Sequence, residues 1–447
     1  MGARLGAGAL LLREVSAVRV SRIVYVPHDQ LNASYGALRT ADPTTDHVVL
    51  VESRRMVHGR PWHRHRLHFL ISSARHFARE LKQTGWTVEY VQADTTADGL
   101  RAAMAAEPGC EVVCATPNSY RMRADLSALG VAFSDNDFFL TSPDQFAAWA
   151  GRQRSFTMES FYREQRKRLG VLMDGSQPVG GAWNFDADNR LPPPRQHDWG
   201  PTLTFDADDI DEQVAAELPD TAWGAFDGKV WGTSRTEALA QLEHFLEHHF
   251  AEFGPYEDAM PQGTWAAHHS LLSPYLNNGL LHPAEVLEAA IARFEQGDIP
   301  IASCEGFVRQ LIGWREYVNG MHWHLGEAYR DRNALSAGRD LLPLYREPGA
   351  TRMACAGAVV ADVRDRGWTH HIPRLMVLGN LALLAGVEPR QLLDWMRESF
   401  VDAADWVMVP NIIGMAAHAD GGQMMTKPYA AGGAYVSRMG RFCGGCI

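Results

Sequence analysis

The spacing of apolar residues changes twice along this 447-residue chain, and those changes constrain its architecture more than any single motif. In the first 140 or so residues, short apolar runs alternate with a helical stretch. Arg22-Ile23-Val24-Tyr25-Val26 and His47 to Val51 read as buried strands. Leu67, Leu70, Ile71, Ala74, Phe77, Ala78 and Leu81 recur at helical spacing until Gly85, and Thr87 to Val91, Glu111 to Ala115 and Val131 to Phe133 read as further strands. Strand, helix, strand implies a right-handed crossover and a parallel, Rossmann-like sheet. Ligands of such a sheet sit beyond the strand C-termini, which places Asp29, Gln30, Glu52 and Pro117-Asn118 at one rim. No G-x-G-x-x-G follows the first strand, so the rim suits a smaller heterocycle than a dinucleotide, or is purely structural.

From 141 to 232 the pattern loosens into Pro, Gly, Asn and Asp, including Gly180-Gly181-Ala182-Trp183-Asn184-Phe185-Asp186 and Leu191-Pro192-Pro193-Pro194. This reads as a linker that wraps rather than packs. Within it, Met158 to Arg168 predicts a short basic amphipathic helix, its Arg163, Arg166, Lys167 and Arg168 forming either a solvated face or phosphate contacts. Beyond 233 only helical spacing remains. Ser234-Arg235-Thr236-Glu237 is a capping box, and helices follow over Ala238 to Phe250, Pro283 to Phe294, Cys304 to Gly320, His371 to Ala385 and Pro389 to Phe400. The expected organisation is an extension over 1–20, an α/β domain over 21–140, a linker over 141–232 and an all-α domain over 233–447.

A net charge of −11 argues against a protein that coats nucleic acid indiscriminately, though a local basic groove remains compatible with it. No apolar run approaches the roughly 20 residues of a membrane helix. Residues 1–20, with Arg4 and Arg13 around a Leu/Ala stretch, lack a clear cleavage site and read as an extension rather than a signal peptide. Six cysteines in so long a chain fit the cytoplasm better than a disulfide-stapled secreted protein. Cys110, Cys114 and Cys304 lie on apolar elements and read as buried thiols.

The densest chemistry is Gly367-Trp368-Thr369-His370-His371-Ile372-Pro373-Arg374-Leu375-Met376. Adjacent residues on a helix project about 100° apart, so His370 and His371 cannot hold one metal from one face but can line two walls of one pocket. That favours proton chemistry over zinc, against the plainer possibility of one core and one surface imidazole.

Three segments give this stretch a context. His269-Ser270-Leu271-Leu272-Ser273-Pro274-Tyr275-Leu276 with Gly279-Leu280-Leu281 resembles the flavin-phosphate loop of the photolyase and cryptochrome superfamily, and Trp314-Arg315-Glu316-Tyr317 resembles its W-R-E-[FY] helix. Both stand in the family's order with the His370-His371 motif, and the resemblance covers nearly the whole chain. Met158 to Arg163, Gly180 to Asp186 with Asn189-Arg190, and Asp405-Trp406-Val407-Met408-Val409-Pro410-Asn411 look like the iron–sulfur branch, the bacterial cryptochromes and prokaryotic (6-4) photolyases.

The resemblance implies FAD, bound by Tyr256, His269, Ser270, Leu271, Leu272, Ser273, Gln310, Arg315, Arg374, Asp402 and Asn411, with the Ser270 and Ser273 hydroxyls and a helix N-terminus at the diphosphate. It implies a base-stacking role for Trp314 against a flipped lesion, electron transfer through Trp395 and Trp406, and a 6,7-dimethyl-8-ribityllumazine antenna near Asp29, Gln30 and Glu52. It also implies a [4Fe–4S] cluster on Cys355, Cys443 and Cys446, with Cys443-Gly444-Gly445-Cys446 as a C-x-x-C bite and a fourth cysteine shortly after Cys446, beyond the point where this sequence stops. The expected activity is light-driven repair of UV-damaged DNA, by a monomer without membrane attachment. A (6-4) product needs a proton moved as well as an electron, and His370 and His371 supply the acid/base groups; either could face the lesion. The alternative is a cryptochrome that keeps the flavin and signals without repair.

Overall fold

A computed structural model describes residues 20–446; the extension over 1–20 falls almost wholly outside the described residues. The strands are β1 (Arg22–Tyr25), β2 (Asp46–Ser53), β3 (Thr87–Ala93), β4 (Glu111–Ala115) and β5 (Ala132–Ser134). They form one parallel sheet in the order β3-β2-β1-β4-β5. The doubly wound order follows from the sequence. Each strand is separated from the next by a helix-length segment, and β1 and β2 carry apolar residues on both faces, so both faces need helical cover. Arg64–Gln83 covers one face, packing Phe69, Phe77 and Leu81 with Val24, Val48 and Leu50. Thr96–Ala106 and Tyr120–Ala128 cover the other with Leu100, Ala103 and Leu126.

The chain order reverses between β1 and β4, which in such folds opens a crevice at the strand C-termini. Here the helical domain plugs it. Leu31 N donates to Asn278 O at 2.9 Å and Asn32 Nδ2 donates to Gly279 O at 3.2 Å, while Gln30 Nε2 donates within the sheet domain, to Ala115 O of β4 at 3.3 Å. Gly279 sits at φ +88, and a Cβ there would lie 2.8 Å from Leu31 N, so close backbone approach requires glycine.

The linker packs more than its composition suggests. It contains a helix at Asp209–Glu217 whose buried Asp211 pairs with Lys229 at 2.7 Å, and Trp231 stacks edge-on with Trp265. The helix Met158–Leu169 exists as expected; of its basic side chains Arg166 is turned inward, while Arg163, Lys167 and Arg168 stay exposed with local partners. Arg166 is fully buried and donates to the carbonyls of Leu172, Trp183 and Val171; Arg163 and Lys167 lie over the Trp183 ring; Arg168 donates to Leu140 O and Gln165. Amphipathic spacing predicted the helix but not that neighbouring carbonyls would take in Arg166.

The C-terminal half is helical throughout. Three of its long helices contain a seven-residue π-helical stretch, at Arg309–Arg315, Pro373–Gly379 and Pro410–Ala416. Cys304 and Cys114 are fully buried, as their apolar settings imply. No helix among the described residues is long and apolar enough to cross a membrane.

Candidate functional site

The three π-helical stretches converge on one cavity of about 330 Å³. Gln310, Leu311, Trp314 and Arg315 come from the first, Arg374 and Leu375 from the second, and Asn411, Ile412, Met415 and Ala416 from the third. A π-turn inserts one residue into the i→i−4 ladder and is retained where it serves a site. The turn Ser270–Ser273 closes one end and His370, His371 and Trp368 form another wall. Leu272, Leu311, Met396, Met408 and Met415 make the lining apolar, with a few convergent polar groups, the usual character of a pocket for a large heterocycle.

Polar groups in the wall form one network. Arg374 donates to both oxygens of Asp402, at 3.0 and 2.9 Å, and the Ser273 hydroxyl donates to Asp402 Oδ2 at 2.7 Å. The Arg374 guanidinium is further held by Thr369 O at 2.6 Å and lies 4.0 Å from the Phe400 ring centroid. The bidentate pair thus locks the turn to the second π-stretch. Leu271 adopts φ +58, a left-handed conformation for a non-glycine residue, within the same turn. The helix it introduces, Ser273–Asn278, spans only six residues, so a macrodipole adds little; the donors there are the amides and hydroxyls of the turn itself.

The histidines are neutral. His370 is buried with neither ring nitrogen partnered, and its ring stacks on His269 at 4.1 Å, 25° between planes. Burial, with His269, His371 and Arg374 nearby, pushes its imidazole far below the usual value. Burial first and His268 next push His269 down to about 3, and its Nε2 too is unpartnered. His371 exposes its ring to the cavity, whose apolar walls, and then Arg374, push it down to about 4. Helix geometry therefore separates the pair: His370 is locked in the wall, whereas His371 faces open space. Buried polar atoms rarely go unpartnered in folded proteins, so the free nitrogens of His269 and His370 mark a wall that fits a hydrogen-bonding ligand such as a flavin.

One titrating group escaped the sequence reading. Glu257 lines the cavity, accepts from Gln310 Nε2 at 2.6 Å, and is pushed up to about 8, chiefly by burial and then by Asp258, Asp186 and Glu305 against Arg309. Burial therefore favours its protonated form, against the pull of Arg309 at 3.9 Å. Its position directly after Tyr256 was the available signal, but a lone Glu in a turn gives no hint of burial.

The other expected residues are placed as follows. His269 to Ser273, Gln310, Trp314, Arg315, His370, His371, Arg374, Asp402, Asn411 and Trp406 line the cavity. Tyr256 does not: its ring faces away, against His197 at 4.8 Å and Trp199 at 5.4 Å, because consecutive residues in this turn point apart and Glu257 takes the inward position. Trp395 is buried behind the wall, edge-on to Tyr345 at 4.9 Å and to Phe400 at 6.0 Å. Trp406 meets Phe139 edge-on at 4.9 Å and the Arg315 guanidinium at 5.3 Å. The two tryptophans therefore leave the cavity by separate routes.

At the rim of the α/β domain, Glu52 is taken by Arg75 at 3.1 Å, the Tyr90 hydroxyl at 2.7 Å and Gln92 at 3.1 Å. Gln30 is engaged by Ala115 O at the end of β4. Asp29 has no such partner and burial pushes its carboxyl up to about 6; neighbouring His28 has both ring nitrogens unpartnered. Of the cysteines, Cys355 is buried near the start of the helix Ala354–Arg366, and Cys443 and Cys446 are exposed. The Cys355 thiol is pushed up by burial and further by the Cys446 and Cys443 thiols, which places the three as neighbours.

Three comparisons bear on these features. Residues 24–231 match the family model of deoxyribodipyrimidine photo-lyase-related proteins. The chain is 38% identical over 445 residues to a (6-4) photolyase of Agrobacterium fabrum, covering 96% of this chain and 87% of that one. The fold matches the crystal structure of a bacterial class III photolyase from Agrobacterium tumefaciens with a TM-score of 0.63, at 18% identity over 96% of this chain and 88% of that chain. It matches a Synechocystis cryptochrome with the same TM-score, at 16% identity over 95% and 87%.

Proposed function

The chain belongs to the photolyase family, and from that premise we propose that it is a light-driven DNA repair enzyme acting on (6-4) photoproducts. What supports this reading beyond the 38% identical relative is the pair of neutral imidazoles and the buried carboxyl of Glu257 around a single cavity. Reduced FAD in that cavity would supply an electron on excitation. Ser270, Ser273 and the turn amides would bind its diphosphate, Arg374 and Asp402 would fix the isoalloxazine edge, and Asn411 would stand beside them. Apolar walls would exclude water.

The protein's own contribution to the reaction is proton handling. His371, facing open space, is the group we assign to the lesion, with His370 and His269 stacked on each other in the wall beside it. Glu257 can donate a proton at neutral pH without first being protonated, because burial favours its acid form. Trp314 offers an aromatic face to a flipped base.

The finer cofactor assignments form part of the same proposal. Cys355, Cys443 and Cys446 would hold a [4Fe–4S] cluster, the remaining cysteines Cys110, Cys114 and Cys304 being committed to the sheet and the core. A lumazine antenna would use Asp29 and His28, whose polar atoms are free, rather than Glu52, whose oxygens are taken. A monomer in the cytoplasm completes the reading.

The deciding experiment is illumination of reduced, flavin-loaded protein with a (6-4)-containing oligonucleotide. Restoration of the two pyrimidines is expected, with His371→Ala abolishing it at normal flavin content. A lesion that survives while the flavin cycles normally would sink the repair reading and leave the photoreceptor alternative. Iron and sulfide assay tests the cluster, and flavin-sensitised fluorescence tests the antenna.

A further inference from the structure

On the far side of the turn from the cavity, His197 Nε2 and His268 Nε2 approach to 2.8 Å, and a Glu252 carboxylate oxygen lies within 4.8 Å of both. His197 belongs to the linker, Glu252 to the short helix Phe250–Phe253, and His268 to the segment that leads into the cavity turn.

Hydrogen bonding fixes the tautomers from one end. Pro201 O can only accept, and it lies 2.9 Å from His249 Nε2, so that nitrogen carries the proton. His249 Nδ1 in the neutral ring must then accept, and its 3.2 Å partner, His268 Nδ1, must donate. Neutral His268 is left with a lone pair on Nε2, which accepts the Nε2 proton of His197 at 2.8 Å; a metal ion would take that proton's place, with His197 shifting to its Nδ1–H tautomer. An imidazole whose second nitrogen is held by an acceptor is the normal arrangement of a metal-ligating histidine.

His197 is also held in place, between the Trp199 ring at 4.5 Å and the Tyr256 ring at 4.8 Å. The loop fits closely: Gly200 adopts φ +69, and a Cβ there would lie 2.8 Å from the His249 ring. No cation competes for the carboxylate. The other group of this kind, His76, Asp208 and Asp211, is already neutralised by Arg79 and Lys229, whereas among the described residues Glu252 has no lysine or arginine partner.

We propose that His197, Glu252 and His268 bind a divalent transition-metal ion of the zinc type, clipping the linker onto the helical domain behind the cavity turn. Two imidazoles and one carboxylate make a three-ligand set with room for water in the fourth position. Nitrogen ligands disfavour magnesium and calcium, which take oxygen. Two nitrogens on a tetrahedral ion at roughly 2.0 Å stand roughly 3.3 Å apart, so the pair need open only by about half an ångström.

The test is a Co(II) titration of chelator-dialysed, flavin-loaded protein, followed by Zn(II) displacement. One equivalent is expected to bind, with visible d–d absorption of a four-coordinate nitrogen–oxygen site, and with affinity lowered at least 10-fold in His197→Ala and in Glu252→Gln. Glu252 is exposed, so its variant keeps the test decisive even if the His197 variant folds poorly. His248→Ala, which removes the neighbouring surface imidazole pair with His244, should leave binding unchanged. Failure to bind one equivalent, wild-type affinity in Glu252→Gln, loss confined to His248→Ala, or a cobalt spectrum with thiolate charge-transfer bands would each overturn the proposal.

Discussion

Asp402→Asn is the most informative single perturbation of the cavity. In the wild type the carboxylate accepts two bonds from Arg374 and one from Ser273, and its side chain is only 6% exposed while that of Arg374 is 17% exposed. The amide keeps the shape but removes the charge, and its NH₂ group faces donors on one side, so a buried guanidinium loses its counter-charge. Removing one partner of a buried pair costs about 3–5 kcal/mol, mostly through the charge left behind. Ser273→Ala removes only one hydrogen bond to a charged acceptor and should cost about 1.5–3 kcal/mol. Arg374→Gln/Asp402→Asn leaves no orphaned charge and should cost less than the sum of its singles, with a coupling of about 2 kcal/mol or more. Urea unfolding monitored by far-UV circular dichroism gives all four corners of the cycle, and flavin absorbance reports the ligand. An additive cycle, or an Asp402→Asn variant within about 0.5 kcal/mol of wild type, would refute the claim that this pair locks the turn to the second π-stretch.

Acidification should destabilise the fold over a defined window. His63, His65, His268, His269 and His322 all have imidazoles pushed down to about 3 or 4, chiefly by burial. The unfolded chain protonates near pH 6.5 while the folded one resists, so their stabilisation is full above that pH and is lost towards pH 4, each imidazole contributing a slope of up to about 1.4 kcal/mol per pH unit; flat stability from pH 7 to 4.5 would contradict this. Glu257 acts in the opposite sense, since a carboxyl raised to about 8 binds its proton in the fold after the unfolded chain has released it, so stability falls as pH rises from about 4.5 to 8. Glu257→Gln should abolish that slope, as measured by urea midpoints at several pH values. Trp406→Phe should slow flavin photoreduction more than Trp395→Phe, because Trp406 lines the cavity while Trp395 sits behind Phe400; transient absorption that ranks them the other way would reassign the route.

The two-part architecture is legible in the sequence because period-2 and period-3.6 patterns are local and the chain switches between them cleanly. Strand positions from β1 to β5 follow from that alone within two residues at the ends, and the long helix beneath them within three; of the second half the helical class follows, but Ala354–Arg366 and Gly433–Gly440 escape the spacing and the helix predicted to end at Gly320 runs to Leu325. Most of the cavity wall is legible too, since His269 to Ser273, Trp314-Arg315 and His370 to Arg374 are contiguous motifs. Apolar spacing cannot distinguish 3.6 from a locally wider helix over seven residues, so the three π-stretches were invisible.

What the sequence could not settle depends on partners far away in the chain. Glu257 faces the cavity, and Tyr256 does not, because Gln310 and Arg309 lie on the inner side of the turn. Of the basic helix, Arg166 is withdrawn from the surface because carbonyls of Val171, Leu172 and Trp183 fold over it, while Arg163, Lys167 and Arg168 stay exposed. Composition and periodicity determine which elements form and which residue types are at hand. Only tertiary structure decides which polar atoms are left without partners, because satisfaction of a buried group is a property of its surroundings, and the free atoms at His269 and His370, with the buried carboxyl of Glu257 beside them, are where the chemistry is possible.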